Sequence, residues 1–282
     1  MSVTVMLWVI TAAALHAAWN LGVKSHDNPD VSMTAVVLGH SPVALIALWW
    51  VPLPLAAAWP WLLLGACLHL AYQLTLMSAY RLGDLSHVYP LARGTAPLLV
   101  TLISLLFLDK QFNALELTAV ALIVVALLSQ VRLSATKASW HAARLSLFTG
   151  CLIASYTLID GYGARIAATG VGFYAVMALL NTGMLMVVMR WRRPGTVTQV
   201  IKHHKWLAIQ GGSASFAAYA IVMWAFTQSP IALVSALRET SVAFAVMMGM
   251  VFLKERPTPR ALWAVILMLI GLIVLRLAPA LT

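Results

Sequence analysis

Two arginines stand in the middle of apolar stretches, at matching places in a repeated pattern. Arg93 lies in DLSHVYPLARGTAPLLVTLISLLFLDK (Asp84–Lys110) and Arg238 in PIALVSALRETSVAFAVMMGMVFLKE (Pro230–Glu255). With one single-residue gap upstream, Thr95 falls on Thr240, Phe107 on Phe252 and Leu108 on Leu253. The register then carries Ala119, Val120 and Leu122 onto Ala264, Val265 and Leu267. An ionised side chain near the centre of a membrane helix costs about 2.5–3.5 kcal/mol, so it faces a cavity or a partner. Guanidinium offers two parallel N–H donors, which suits a carboxylate or phosphonate group. Glu239, next to Arg238, could neutralise one arginine as a structural ion pair. One carboxylate does not satisfy two arginines, which favours an anion-binding fork. Tyr89 shares the face of Arg93.

A second polar set sits on other apolar stretches. Asp160 lies one helical turn past Tyr156, and its counterpart in the repeat is Asn20, one turn past His16 with Trp19 beside it. Such a pattern would present an aromatic or imidazole group and a polar residue to one centre from both halves. Alternatively, Asp160 lies near a helix end and reaches out to water. His69 and Gln73, with Ser215 and Tyr219, have the i, i+4 spacing of cavity-lining faces. The expected substrate-binding residues are therefore Arg93, Arg238, Glu239, Tyr89, Trp19, Asn20, Tyr156, Asp160 and Tyr219. Proton coupling, if present, would use Asp160, Glu239 or a histidine such as His16, because imidazole titrates near neutral pH. His40, His69 and His87 are weaker candidates, since a membrane histidine often only bonds to a neighbouring helix. His203 and His204 fall in a basic loop and are expected in water. Cys67 and Cys151 form no metal spacing and carry no redox role. Neither a metal nor a cofactor is expected. The sequence holds no HExxH, GxSxG or nucleotide-binding glycine loop, which disfavours the alternative of a membrane-embedded hydrolase or acyl transferase.

The elements that must hold these residues follow from composition. Of 282 residues, 62% are hydrophobic and only 9% charged, with a mean hydropathy of +0.91. That excess of apolar side chains belongs to an all-α integral membrane protein whose partner is the lipid bilayer. The net charge of +10 sits in short runs between apolar stretches, which points to anionic lipid and not to nucleic acid. Cutting the chain into spans of about 20 residues gives roughly ten helices. These run near 3–24, 31–51, 61–81, 85–108, 114–132, 145–165, 172–189, 206–227, 231–253 and 261–277. The N-terminal MSVTVMLWVI has no basic region before its apolar run and reads as the first of them. Tryptophans gather at the expected helix ends as an interfacial belt.

Five helices in each half is an odd number, so the second half enters the membrane in the opposite sense. The expected plan is two inverted five-helix repeats, residues 1–133 and 142–282, joined by residues 134–141, with the site near the midplane. Thirteen of the eighteen lysines and arginines fall in the links after the first, third, fifth, seventh and ninth helices. That bias places both termini outside the cytoplasm.

LHAAWN (Leu15–Asn20), SHVYPLARGTAPLL (Ser86–Leu99) and the paired FLDK and FLKE ends resemble the EamA-type branch of the drug/metabolite transporter superfamily. The resemblance spans nearly the whole chain. It implies a ten-helix transporter of the cell inner membrane with a central cavity lined by both halves. Its substrates would be small polar metabolites, amino acids or drugs, usually exported by alternating access. The LHAAWN and HVYPLARG forms are also similar to a subgroup associated with phosphonate utilisation. Many relatives are drawn with cytoplasmic termini, and here the charge bias departs from them.

Overall fold

The computed structural model describes residues 1–24, 28–82, 85–107, 112–131, 137–252, 254 and 256–278, and among these no strand occurs. The helices are α1 (Val3–Lys24), α2 (Pro29–Trp50), α3 (Trp59–Leu82), α4 (Leu85–Phe107), α5 (Ala114–Leu128) and α6 (Lys137–Ile166). They continue as α7 (Gly170–Arg192), α8 (Thr196–His203), α9 (Gly212–Gln228), α10 (Ile231–Arg238), α11 (Ser241–Phe252) and α12 (Pro259–Leu277). Among the described residues, eight stretches are long and apolar enough to cross a membrane. Leu91–Phe107 and Ala114–Leu128 are apolar but shorter. The chain is an all-α, multi-pass membrane protein.

Local chemistry sets the helix starts. The Asn28 side chain accepts the Asp30 and Val31 amides and Pro29 opens α2, a residue whose missing N–H costs nothing there. Asn113 and Glu116 form a reciprocal capping box at α5. Thr169 caps α7, and Thr258 with Pro259 opens α12.

Several expected boundaries are corrected. The sixth helix begins at Lys137 and not near 145, so much of the expected connecting loop is helical. The basic loop before the eighth span contains the short helix α8. That span itself opens with a π-helical turn, Leu207–Gly211. The ninth span is broken into α10 and α11 at Glu239–Thr240. Around the break the Glu239, Thr240, Val242 and Ala243 amides each bond a carbonyl three residues back. The Thr240 hydroxyl also bonds the Leu237 carbonyl, at 2.8 Å, which competes with a regular helical ladder.

The exterior is apolar and the polar residues are inside. Trp49, Trp50, Phe107, Trp191, Val251 and Phe252 are exposed, whereas Asp160, Glu239, Arg93 and Arg238 are buried. This is the partition that lipid demands. In the packing, α3 and α4 lie on α6, while α9 and α11 lie on α1. The α2 helix packs on α7, and α5 packs on α12. The α4 helix also meets α10, which brings the two arginine-bearing segments together.

At one end of the bundle, Asp30 pairs with Arg81 from the end of α3 and with Arg193 from the end of α7, whose Nε stands 3.3 Å from its Oδ2. Elsewhere Arg165, at the end of α6, donates to the Phe226 and Ser229 carbonyls at 2.9 Å each. Those are C-terminal carbonyls of α9 that no further turn of helix would take.

Candidate functional site

The α4–α10 contact and the break after α10 place two guanidinium groups around one carboxylate. Glu239 is fully buried, and its Oε2 lies 2.7 Å from Arg93 Nε. Its Oε1 lies 3.7 Å from Arg238 Nε. The sequence pairs Glu239 with its neighbour Arg238, yet the closer partner is Arg93, 146 positions away by number and on another helix. Because Glu239 ends α10, its side chain is free to swing across to α4.

Arg93 Nη2 also donates to Ser241 Oγ at 3.3 Å, tying α4 to the first residue of α11. Arg238 is only 4% exposed, and its Nη2 has no hydrogen-bond acceptor among the described residues. Its guanidinium carbon stands 5.6 Å from the Tyr219 ring centroid, a cation–π contact. The cluster thus carries two positive charges, one negative charge and an unsatisfied donor.

A second cluster centres on Asp160, which is 0% exposed. Its Oδ2 meets His69 Nε2 at 2.8 Å and accepts the Tyr219 hydroxyl at 2.7 Å. The alternative of a carboxylate reaching water from the helix end is therefore corrected, because Asp160 points inward and is bonded. Gly65 on α3 makes room for it: a Cβ there would stand 2.7 Å from Asp160 Oδ1. His69 stacks on Tyr156 with ring centroids 4.1 Å apart. Tyr72, Tyr174 and Phe216 extend this aromatic wall. Tyr219 joins the clusters, with its hydroxyl on Asp160 and its ring under Arg238.

The remaining expected residues scatter. Trp19 packs edge-on against His16 at 5.1 Å. Asn20 Nδ2 donates to the His16 carbonyl of its own helix, at 2.8 Å. Gln73, expected to line a cavity, is buried in a reciprocal amide pair with Asn181 of α7, at 2.8 and 3.3 Å. The side chains of Tyr89 and His87 lie outside the described residues. Sequence reasoning ranked His69 behind His16 and missed its bond to Asp160. The available signal was that each is an isolated polar residue on an apolar helix. No group of three or more metal-ligating residues occurs among the described residues.

Comparison with known proteins follows the same lines. Residues 142–277 match the sequence model of the EamA-like transporter family. No curated protein matches the sequence. One solved structure, a crystal structure of a protein, is similar in fold with a TM-score of 0.79 at 16% identity. The match covers 100% of this chain and 99% of that one.

Proposed function

Because residues 142–277 match the EamA-like transporter family, we propose that this chain is a secondary transporter of a small anionic or zwitterionic metabolite. The Arg93–Glu239–Arg238 cluster would receive the acidic group. The observation that carries this reading is Arg238, buried with an unsatisfied Nη2 beside a carboxylate already 2.7 Å from Arg93. Burying a charge without full compensation costs several kcal/mol, and a bound anion would supply what is missing. A guanidinium pair selects planar oxyanions by geometry as well as by charge.

The ten expected passes would form two inverted five-helix repeats, 1–133 and 142–282, with α10 and α11 as one broken pass. The helix contacts support this arrangement: α1 meets α9 and α11 as α6 meets α3 and α4. Alternating access would rock one set against the other in the cell inner membrane, most simply as export. Asp160, hydrogen-bonded to His69 and Tyr219, is the best-placed group for proton coupling, ahead of Glu239, which is paired with Arg93. His16 and Trp19, packed together on α1, would be secondary contributors.

The test is uptake of a labelled metabolite panel into proteoliposomes, with and without a proton gradient. Selective transport of acids or zwitterions, lost in Arg238→Lys, is the expected result. Transport confined to cations would overturn the proposal. Orientation is tested separately by impermeant-thiol labelling of intact cells, with cysteines at His203 or Thr282 in a background lacking Cys67 and Cys151. Only the one at Thr282 should react if both termini face outward.

A further inference from the structure

Between the C-terminal half of α1 and the start of α9 lies a cavity of about 450 Å3, in the range of sites that hold small metabolites. The π-turn at Leu207–Gly211 shapes it. A π-turn is wider than an α-turn, and such bulges recur at functional sites. On the far side of this turn, α2 comes so close that a Cβ on Gly39 would overlap the Ala208 carbonyl. The turn is therefore fixed from behind while Gln210 and Trp206 face the cavity.

The lining is rich in donors. Trp19 Nε1 is buried and has no acceptor among the described residues. The Gln210 amide and the rings of His203 and His204 complete the polar wall. Lys205 lies at the rim, its ammonium 5.9 Å from the Trp206 ring centroid, and the exposed Lys202 sits nearby on α8. None of the lining residues is acidic. The nearby acid on α2, Asp30, is held by Arg81 and Arg193.

Trp19 lines the cavity from α1. That ring packs against His16. The same helix, α1, also touches α10 and α11. The helix that carries Trp19 thus borders both the donor-lined vestibule and the segments on either side of Glu239.

We propose that this vestibule is a second site for small oxyanions, with Trp19 as the partition between it and Arg93 and Arg238. Its role as an outer station on a transport path rests on the transporter reading, whereas its ligand chemistry does not. Phosphate or carboxylate groups could arrive from solution or on a lipid headgroup, and both would meet the same donors.

The test uses full-length protein in phosphatidylcholine vesicles, lacking Cys67 and Cys151 and carrying Ala214→Cys on the cavity wall. Its labelling by a sulfonated thiosulfonate is compared with that by a trimethylammonium thiosulfonate, each relative to a free thiol. Focusing by the basic rim should favour the anionic reagent by about tenfold or more. The combined change Lys202→Gln with Lys205→Gln, both at exposed positions, should reduce that preference. Protection by inorganic phosphate identifies a soluble oxyanion. Protection only when phosphatidylglycerol is added identifies a headgroup. Equal rates, a cationic preference or no labelling at all would overturn the site. For the partition, Ser241→Cys beside Arg93 should react slowly, and faster once Trp19→Ala is added. Unchanged rates would remove Trp19 from that role. Charge-selective labelling in a protein that transports nothing would leave this site standing and remove only the transporter reading.

Discussion

The two polar clusters inside this bundle are built from opposite imbalances. Around Glu239 there are two guanidinium groups and one carboxylate, and Arg238 keeps an unsatisfied donor. Around Asp160 one carboxylate oxygen meets both an imidazole and a phenol, and it is the acid that keeps a spare atom, Oδ1. The first arrangement carries an excess of positive charge, which an anion would balance. The second carries one carboxylate with an unused acceptor, Oδ1. Tyr219 touches both, so filling one cluster changes the surroundings of the other.

That contrast makes removal of Glu239 the most damaging change. Glu239→Gln leaves both arginines buried without a counter-charge and should cost about 3–5 kcal/mol of stability, seen as a large fall in the melting temperature of purified protein. A melting temperature near the parent's would show that the arginines are solvated and not paired. The Gln73–Asn181 pair is a control with no imbalance. Gln73→Leu should cost about 1–3 kcal/mol by leaving Asn181 Oδ1 without its donor, and adding Asn181→Leu should recover most of it. Failure of the double variant to recover would give that pair a further role.

Asp160→Asn should be milder still. The amide keeps an acceptor for Tyr219, so the loss in stability is about 1 kcal/mol, the difference between a charged and a neutral hydrogen bond. Under the proposed coupling role, gradient-driven accumulation should vanish while counterflow exchange persists. Full accumulation in this variant would take Asp160 out of the proton path and blur the distinction between the clusters.

What could be read from the sequence was local. The apolar passes and the repeated arginines follow from composition and from spacing along the chain, although the sixth helix begins well before its expected start. The partners were not legible. His69 and Asp160 are brought together by the packing of α3 on α6, and Gln73 meets Asn181 across α3 and α7. Adjacency misled at Glu239, whose closest arginine lies on α4. The break at Glu239–Thr240 has neither glycine nor proline to announce it. Its one clue is Thr240, whose hydroxyl bonds back to Leu237. The same holds for Asp30, which looked like a link residue and proves to gather two helix ends.

The anion-binding claim is tested most directly by a change that stability should not feel. Lysine at position 93 or 238 keeps the charge and the pairing with Glu239 but loses the fork. Purified parent, Arg93→Lys and Arg238→Lys would be melted in increasing concentrations of phosphate, an alkylphosphonate, a carboxylate and, as a control, a quaternary ammonium salt. Ligand that binds only the folded protein raises the melting temperature in proportion to its affinity. The account predicts unliganded melting temperatures close to the parent's, stabilisation of the parent by one or more anions, and about tenfold more anion needed by either variant, equivalent to about 1.4 kcal/mol. Stabilisation of the lysine variants at the same concentrations as the parent would contradict it.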